Sequence, residues 1–113
     1  MSNLKTFAFQ QHESNLLHNV LNEVLNGFEV KDMKATIGME RQELERLLDQ
    51  LHHSPQCNEV QLSMEQTRAF GNALRETLHE LGGEEFQTRT GYTFDEGERI
   101  LKYIQKLTDQ SEL

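Results

Sequence analysis

Tryptophan is absent from this chain, proline and cysteine occur once each, and no apolar run approaches the length of a bilayer span. The lone cysteine, Cys57, excludes an internal disulfide and fits a reducing compartment. With a single proline, Pro55, and no low-complexity segment, a long disordered stretch is not expected, although residues 108–113 are short of apolar anchors. Cations are also scarce. Eleven Lys and Arg stand against 19 Asp and Glu, a formal net charge of −8. That balance disfavours a nucleic-acid backbone as partner, because phosphates are neutralised by clustered Lys and Arg. It suits a basic protein partner. The first residues carry no apolar run of the kind a signal peptide needs, so the expected location is cytoplasmic, with no membrane.

What is present is a repeat. Displaced by 53 residues, the stretch 19–51 falls on 72–104 without a gap, with nine identities in 33 positions. Asn19, Leu21, Glu23 and Leu25 match Asn72, Leu74, Glu76 and Leu78. Gly38 matches Gly91, and Glu43, Glu45, Arg46 and Leu48 match Glu96, Glu98, Arg99 and Leu101. The 113 residues therefore read as one domain made of two units, 4–53 and 59–107.

Each unit has the same order. Residues 6–9 and 59–62 alternate apolar and polar side chains, as short strands do. A long amphipathic helix follows. In the first unit Leu16, Leu17, Val20, Leu21, Val24 and Leu25 recur at helical spacing after Ser14 as N-cap, or from a start near Gln11, and Gly27 suits the helix end as a left-handed cap. In the second, Ser63 and Gln66 form a capping-box pattern and Gly82-Gly83 stop the helix. A short helical connector, a glycine and a last helix complete the unit, with Thr93 and Glu96 as another capping box. The predicted fold class is mainly α (α+β with two short strands), an internally duplicated strand–helix–short helix–helix unit. Its two copies pack with pseudo-twofold symmetry, and the strands pair at the centre.

The apolar residues around Gly38 and Gly91 resemble the turn of a helix-turn-helix. Departures occur at Lys34 and Gln87, where a small residue packs in such motifs, and at Gly97, where an apolar one does. Both following helices open with acids, Glu40 and Glu43 in one, Asp95, Glu96 and Glu98 in the other. These complement the helix dipole but oppose DNA phosphates.

No catalytic constellation stands out, so the chain is not expected to be an enzyme, and no cofactor is implied. His52, His53 and Cys57 are the one local cluster of metal-ligand types, but lack the paired spacing of a structural zinc site, so no metal is assigned. The repeated pairs Asn19/Asn72 and Glu23/Glu76 border the apolar stripes. They either fix packing across the unit interface, including bonds to the other unit's connector backbone, or mark a duplicated binding site. Arg89 and Tyr92, residue types frequent at interface hot spots, are the candidate partner-binding residues, with Glu85 and Asp95 beside them. The functional expectation is a non-catalytic small acidic protein–protein interaction module (regulator, inhibitor or adaptor), monomer or homodimer. The alternative is a helix-turn-helix transcriptional regulator.

Overall fold

A computed structural model describes residues 6–53 and 59–111 of the chain. Pro55, Cys57 and the remainder of the linker lie outside the described residues, as do Leu4 and the last two positions. The fold is mainly helical with one two-stranded antiparallel sheet. Strand β1 (Thr6–Gln10) leads into helix α1 (Gln11–Asn22), which ends in a π-turn at Glu23–Gly27. Helices α2 (Met33–Ile37) and α3 (Arg41–His53) close the first half. Strand β2 (Glu59–Ser63), α4 (Met64–Thr90) and α5 (Phe94–Ser111) make up the second.

Alternation sets the inner face of the sheet. Phe7 pairs with Leu62 and Phe9 with Val60, while Thr6, Ala8, Gln10 and Gln61 face solvent. A two-stranded ribbon is not stable alone, so its apolar face must rest on helices. It does so through Phe9, which is fully buried and meets Phe70 of α4 edge-on at 5.5 Å. Around that contact Leu16, Leu17, Val20 and Leu21 of α1 join Ala73 and Leu74 of α4, Ile37, Leu44 and Ile104 in one continuous core.

The helix ends follow local chemistry. Ser63 and Gln66 cap α4 reciprocally, and Thr93 and Glu96 do the same for α5. At α1 the expected cap is corrected. The N-cap is Gln10, whose amide donates to Glu13 Oε1 at 2.8 Å, and Ser14 lies a turn inside, donating to the Gln11 carbonyl. Gly27 is corrected too. Its φ is not positive, and its role is to leave room, because a Cβ there would collide with the Glu23 carboxylate. Gly38 and Gly91 adopt φ of 105° and 82°, the left-handed conformation that closes α2 and α4 at little cost only for glycine. Gly82 kinks α4 near the expected stop.

Gly97 answers one departure from the helix-turn-helix pattern. It is buried, and a Cβ there would stand 2.9 Å from Phe86 Cζ and 3.0 Å from Leu78 Cδ2, so it lets α5 press directly on α4. Gly97→Ala should therefore lower stability. A helix-propensity gain of about 1 kcal/mol is outweighed by about 1–3 kcal/mol of overpacking, because the fully buried Phe86 ring has nowhere to go. Gly83→Ala, at an exposed helical position with open space around it, should instead gain about 0.4–1 kcal/mol. Thermal unfolding of the two variants should shift in opposite directions.

Candidate functional site

The polar residues singled out by the repeat converge on the seam between the halves of the chain. Asn19 Nδ2 donates to the carbonyl of Thr90 at 2.9 Å, and Asn72 Nδ2 donates to the carbonyl of Ile37 at 2.8 Å. Each bond is the other displaced by 53 residues at both ends. Both acceptors lie in the last turn of a helix, where carbonyls have no intrahelical donor, so the asparagines fill a standing vacancy. Among the described residues no buried side-chain nitrogen or oxygen lacks a hydrogen-bond partner.

Glu23 and Glu76 part company. Glu23 is buried, and its Oε1 accepts from Arg89 Nη1 at 2.9 Å, while Arg89 Nε donates to Glu85 at 3.0 Å. Arg89 Nη1 also approaches the Gly27 carbonyl at 3.5 Å. The hydrogen bonds to Glu23 and then Glu85 raise the Arg89 pKa above its ordinary value. Glu76 is half-buried, and no hydrogen bond or ion pair to it is found among the described residues. The position displaced by 53 from Arg89 holds Thr36, which offers no cation. The clasp at Glu23 coincides with the π-turn, where the Phe28 amide donates to the Glu23 carbonyl at 3.1 Å.

Tyr92 is also occupied within the chain. Its hydroxyl donates to the carbonyl of His12 at the start of α1, tying the turn before α5 to the opposite half. Burial, with the nearby Glu96 charge, raises its pKa above 10. Asp95 is exposed in the first turn of α5 and pairs with neither Arg89 nor Tyr92. Of the four residues expected at a partner surface, Arg89 and Glu85 therefore meet in one ion pair, Tyr92 is a strut, and Asp95 stands apart.

Two surface grooves run between long and closing helices, and sequence reading missed both. The first, about 340 Å³, lies between α1 with its π-turn and α3, lined by His18, Asn22, Leu25, Glu45, Asp49 and His52 among others. At its rim His18 Nε2 and His52 Nδ1 stand 3.4 Å apart, and Asn19 Oδ1 lies 3.4 Å from His18 Nδ1. Arg41 borders the acidic wall, bonded to the Leu25 carbonyl and to Glu45 at 3.3 Å. The second groove, about 360 Å³, lies between α4 and α5 along Arg68, Gly71, Asn72, Arg75, Leu101 and Gln105. The signal for them lay at positions that the 53-residue shift superposes and that line both grooves with different side chains: Asn22 against Arg75, His18 against Gly71, His52 against Gln105.

Among the described residues no three His, Cys, Asp or Glu side chains are grouped to hold a metal, and no helix is long and apolar enough to cross a membrane. No family model, curated protein or solved structure matches the chain.

Two outcomes test the seam. Asn72→Leu should cost about 1–3 kcal/mol in denaturant unfolding, since it strands the Ile37 carbonyl. Tyr92→Phe should cost about 1 kcal/mol at neutral pH by losing the His12 bond. The raised Tyr92 pKa adds a pH dependence. Below about pH 10 the phenol is protonated folded and unfolded; above it the unfolded chain ionises first, so stability falls as pH rises through the folded value. Tyr92→Phe should flatten that alkaline decline.

Proposed function

We propose that the chain is a non-catalytic protein–protein interaction module of adaptor type, acting in the cytoplasm as monomer or homodimer and built from two duplicated units in a pseudo-twofold arrangement. Duplication is supported by the exchanged asparagine bonds and by the sheet register. A shift of 53 residues converts the Phe7–Leu62 pair into the Phe9–Val60 pair and maps Ala8–Gln61 onto itself. It also maps the Gln10–Glu13 cap onto Ser63–Gln66 and the Glu40–Glu43 cap onto Thr93–Glu96.

One observation carries the functional reading. Several residues identical in both units make equivalent structural contacts, whereas the matching grooves carry different charge. Asn19 and Asn72 hold the seam, and Gly38 and Gly91 turn the chain, in the same way twice. The grooves of similar size hold Glu45 and Asp49 in one and Arg68 and Arg75 in the other. The asparagine bonds and glycine turns are kept while the groove charges differ, which supports a separate binding task for the grooves. In this reading the α1–α3 groove receives a basic side chain of a partner over the apolar floor of Leu25 and Leu48. The net charge of −8 steers that partner in. Arg89 and Tyr92, being tied internally, support the scaffold and do not dock.

The helix-turn-helix alternative is the weaker reading. Glu43 and Glu96 fold back on the amides of Glu40 and Thr93, and Asp95 and Glu98 remain exposed where phosphates would approach α5.

The test is an affinity capture from host lysate with wild-type bait and a Glu45→Lys/Asp49→Lys bait. A basic protein retained by the wild type, released by salt and lost with the variant is the expected outcome. Equal capture by both baits would refute the assignment of this groove, and salt-sensitive enrichment of DNA would favour the regulator.

A further inference from the structure

A two-stranded sheet has two outer edges, and in this chain the repeat makes them differ. The end pairs of the ladder are Gln10–Glu59 and Thr6–Ser63. The Gln10 amide is spent on Glu13 and the Ser63 amide on Gln66, so neither points across the ladder. Hydrogen-bonded and non-hydrogen-bonded pairs alternate in an antiparallel ribbon. Phe7–Leu62 and Phe9–Val60 therefore exchange the inter-strand bonds, and Ala8–Gln61 does not. The main-chain N–H and C=O of Gln61 and Glu59 point away from β1, and no bond to them from elsewhere among the described residues is found. An unpaired edge of this kind is a template for a further strand.

The edge of β2 opens on a cleft of about 230 Å³. Residues Glu59 to Leu62 line it, facing Leu47, Gln50 and Leu51 of α3. Successive strand residues belong to opposite faces of a sheet, so a hollow that touches all four lies against the edge. Through Leu47, Gln50 and Gln66 it continues into a second hollow of about 300 Å³ beside Met39 and Glu43. The repeat shows why the space is there. Displaced by 53 residues, Leu62 and Gln50 fall on Phe9 and Tyr103. Those two rings meet edge-on at 6.3 Å and occupy the corresponding place at the β1 edge. A leucine and a glutamine are too small to do the same at β2.

We propose that this cleft binds an extended, basic segment of a partner protein, which adds to β2 as a third strand. Its main chain pairs with Gln61 and Glu59, and alternate apolar side chains rest on Leu51, Val60 and Leu62. Charge selects the occupant. Glu59 is the one charged residue among the described lining of the cleft, and it is exposed. Its Oε1 accepts from Gln61 Nε2 at 3.2 Å, a bond that keeps the carboxylate charged and in place for a Lys or Arg. The adjoining hollow adds Glu43 and Asp49 against Arg46. A second copy of the chain is the poorer occupant, because it carries the same net charge of −8 and neither of its strands holds a cation. The proposal rests on the interaction-module reading, but it concerns another face of α3, and Glu45 of the α1–α3 groove does not line this cleft.

The experiment is a fluorescence-anisotropy titration of the full chain with a labelled seven-residue peptide alternating valine and threonine between terminal lysines. Two control peptides carry glutamates for the lysines, or N-methyl groups on the internal amides. The lysine peptide should bind, slowing hydrogen exchange at the Gln61 amide, and either control should bind at least about tenfold more weakly. Gln50→Tyr restores at β2 the ring present at β1. It should weaken binding at least about tenfold with circular dichroism unchanged, and Glu45→Lys should leave binding as in wild type. No binding of the lysine peptide, equal binding of the N-methylated form, or equal binding by Gln50→Tyr would each overturn the proposal. A dimer in sedimentation that the lysine peptide does not dissociate would overturn it in favour of a second copy. If the peptide fails while capture from lysate still depends on Glu45 and Asp49, this proposal falls and the module reading stands.

Discussion

The fold depends on two side-chain amides that complete helix ends they do not belong to. A helix terminus leaves carbonyls without donors, and burying them against another element requires that a donor be supplied. Asn19 supplies Thr90 and Asn72 supplies Ile37, so neither half of the chain satisfies its own connector. Apolar burial provides most of the stabilisation, but it is indifferent to small slips between packed helices. The amide bonds are directional, and they set the register in which Leu16, Leu21, Phe70 and Leu74 interlock. The Glu23–Arg89 ion pair and the Tyr92–His12 bond add constraints on one side of that seam only.

That asymmetry separates what was legible in the sequence from what was not. Helices with regular periodicity and ordinary capping residues were readable in order and approximate extent, because spacing and Ser63 or Thr93 caps are local causes. The α1 cap was misread as Ser14, since Gln10 is not among the residue types that usually cap a helix, while the alternative start near Gln11 is where the helix begins. The last helix runs on to Ser111, beyond the end suggested by its apolar positions. The π-turn had no local signature. Its carboxylate finds its partner on Arg89, 66 residues away. Arg89 itself read as a surface residue because an arginine between two threonines offers no hint of a distant acid.

The candidate site was legible in a similar, partial way. The pairing of Asn19 with Asn72 singled out the seam, and the connector-backbone alternative is the arrangement the structure contains. The grooves went unread because their walls come from helices separated in sequence, and a helix face becomes a groove only when its neighbour's tilt is known. Gly71 and Gly97 illustrate the point: each is a place where two helices touch, and the residue it admits comes from a helix distant in sequence or across a turn.

The central sheet imposes an order of events on synthesis. Phe9 has its strand partner at Val60 and its aromatic contact at Phe70, both in the later half of the chain. During translation the early strand therefore waits, with Phe7 and Phe9 uncovered, until β2 and the start of α4 have left the ribosome. Pairing between such distant segments is slow, and exposed apolar strands in the interval are the species that aggregate or recruit chaperones. A product ending before β2 would carry that exposed face permanently, because neither Val60 nor Phe70 would be present to cover it.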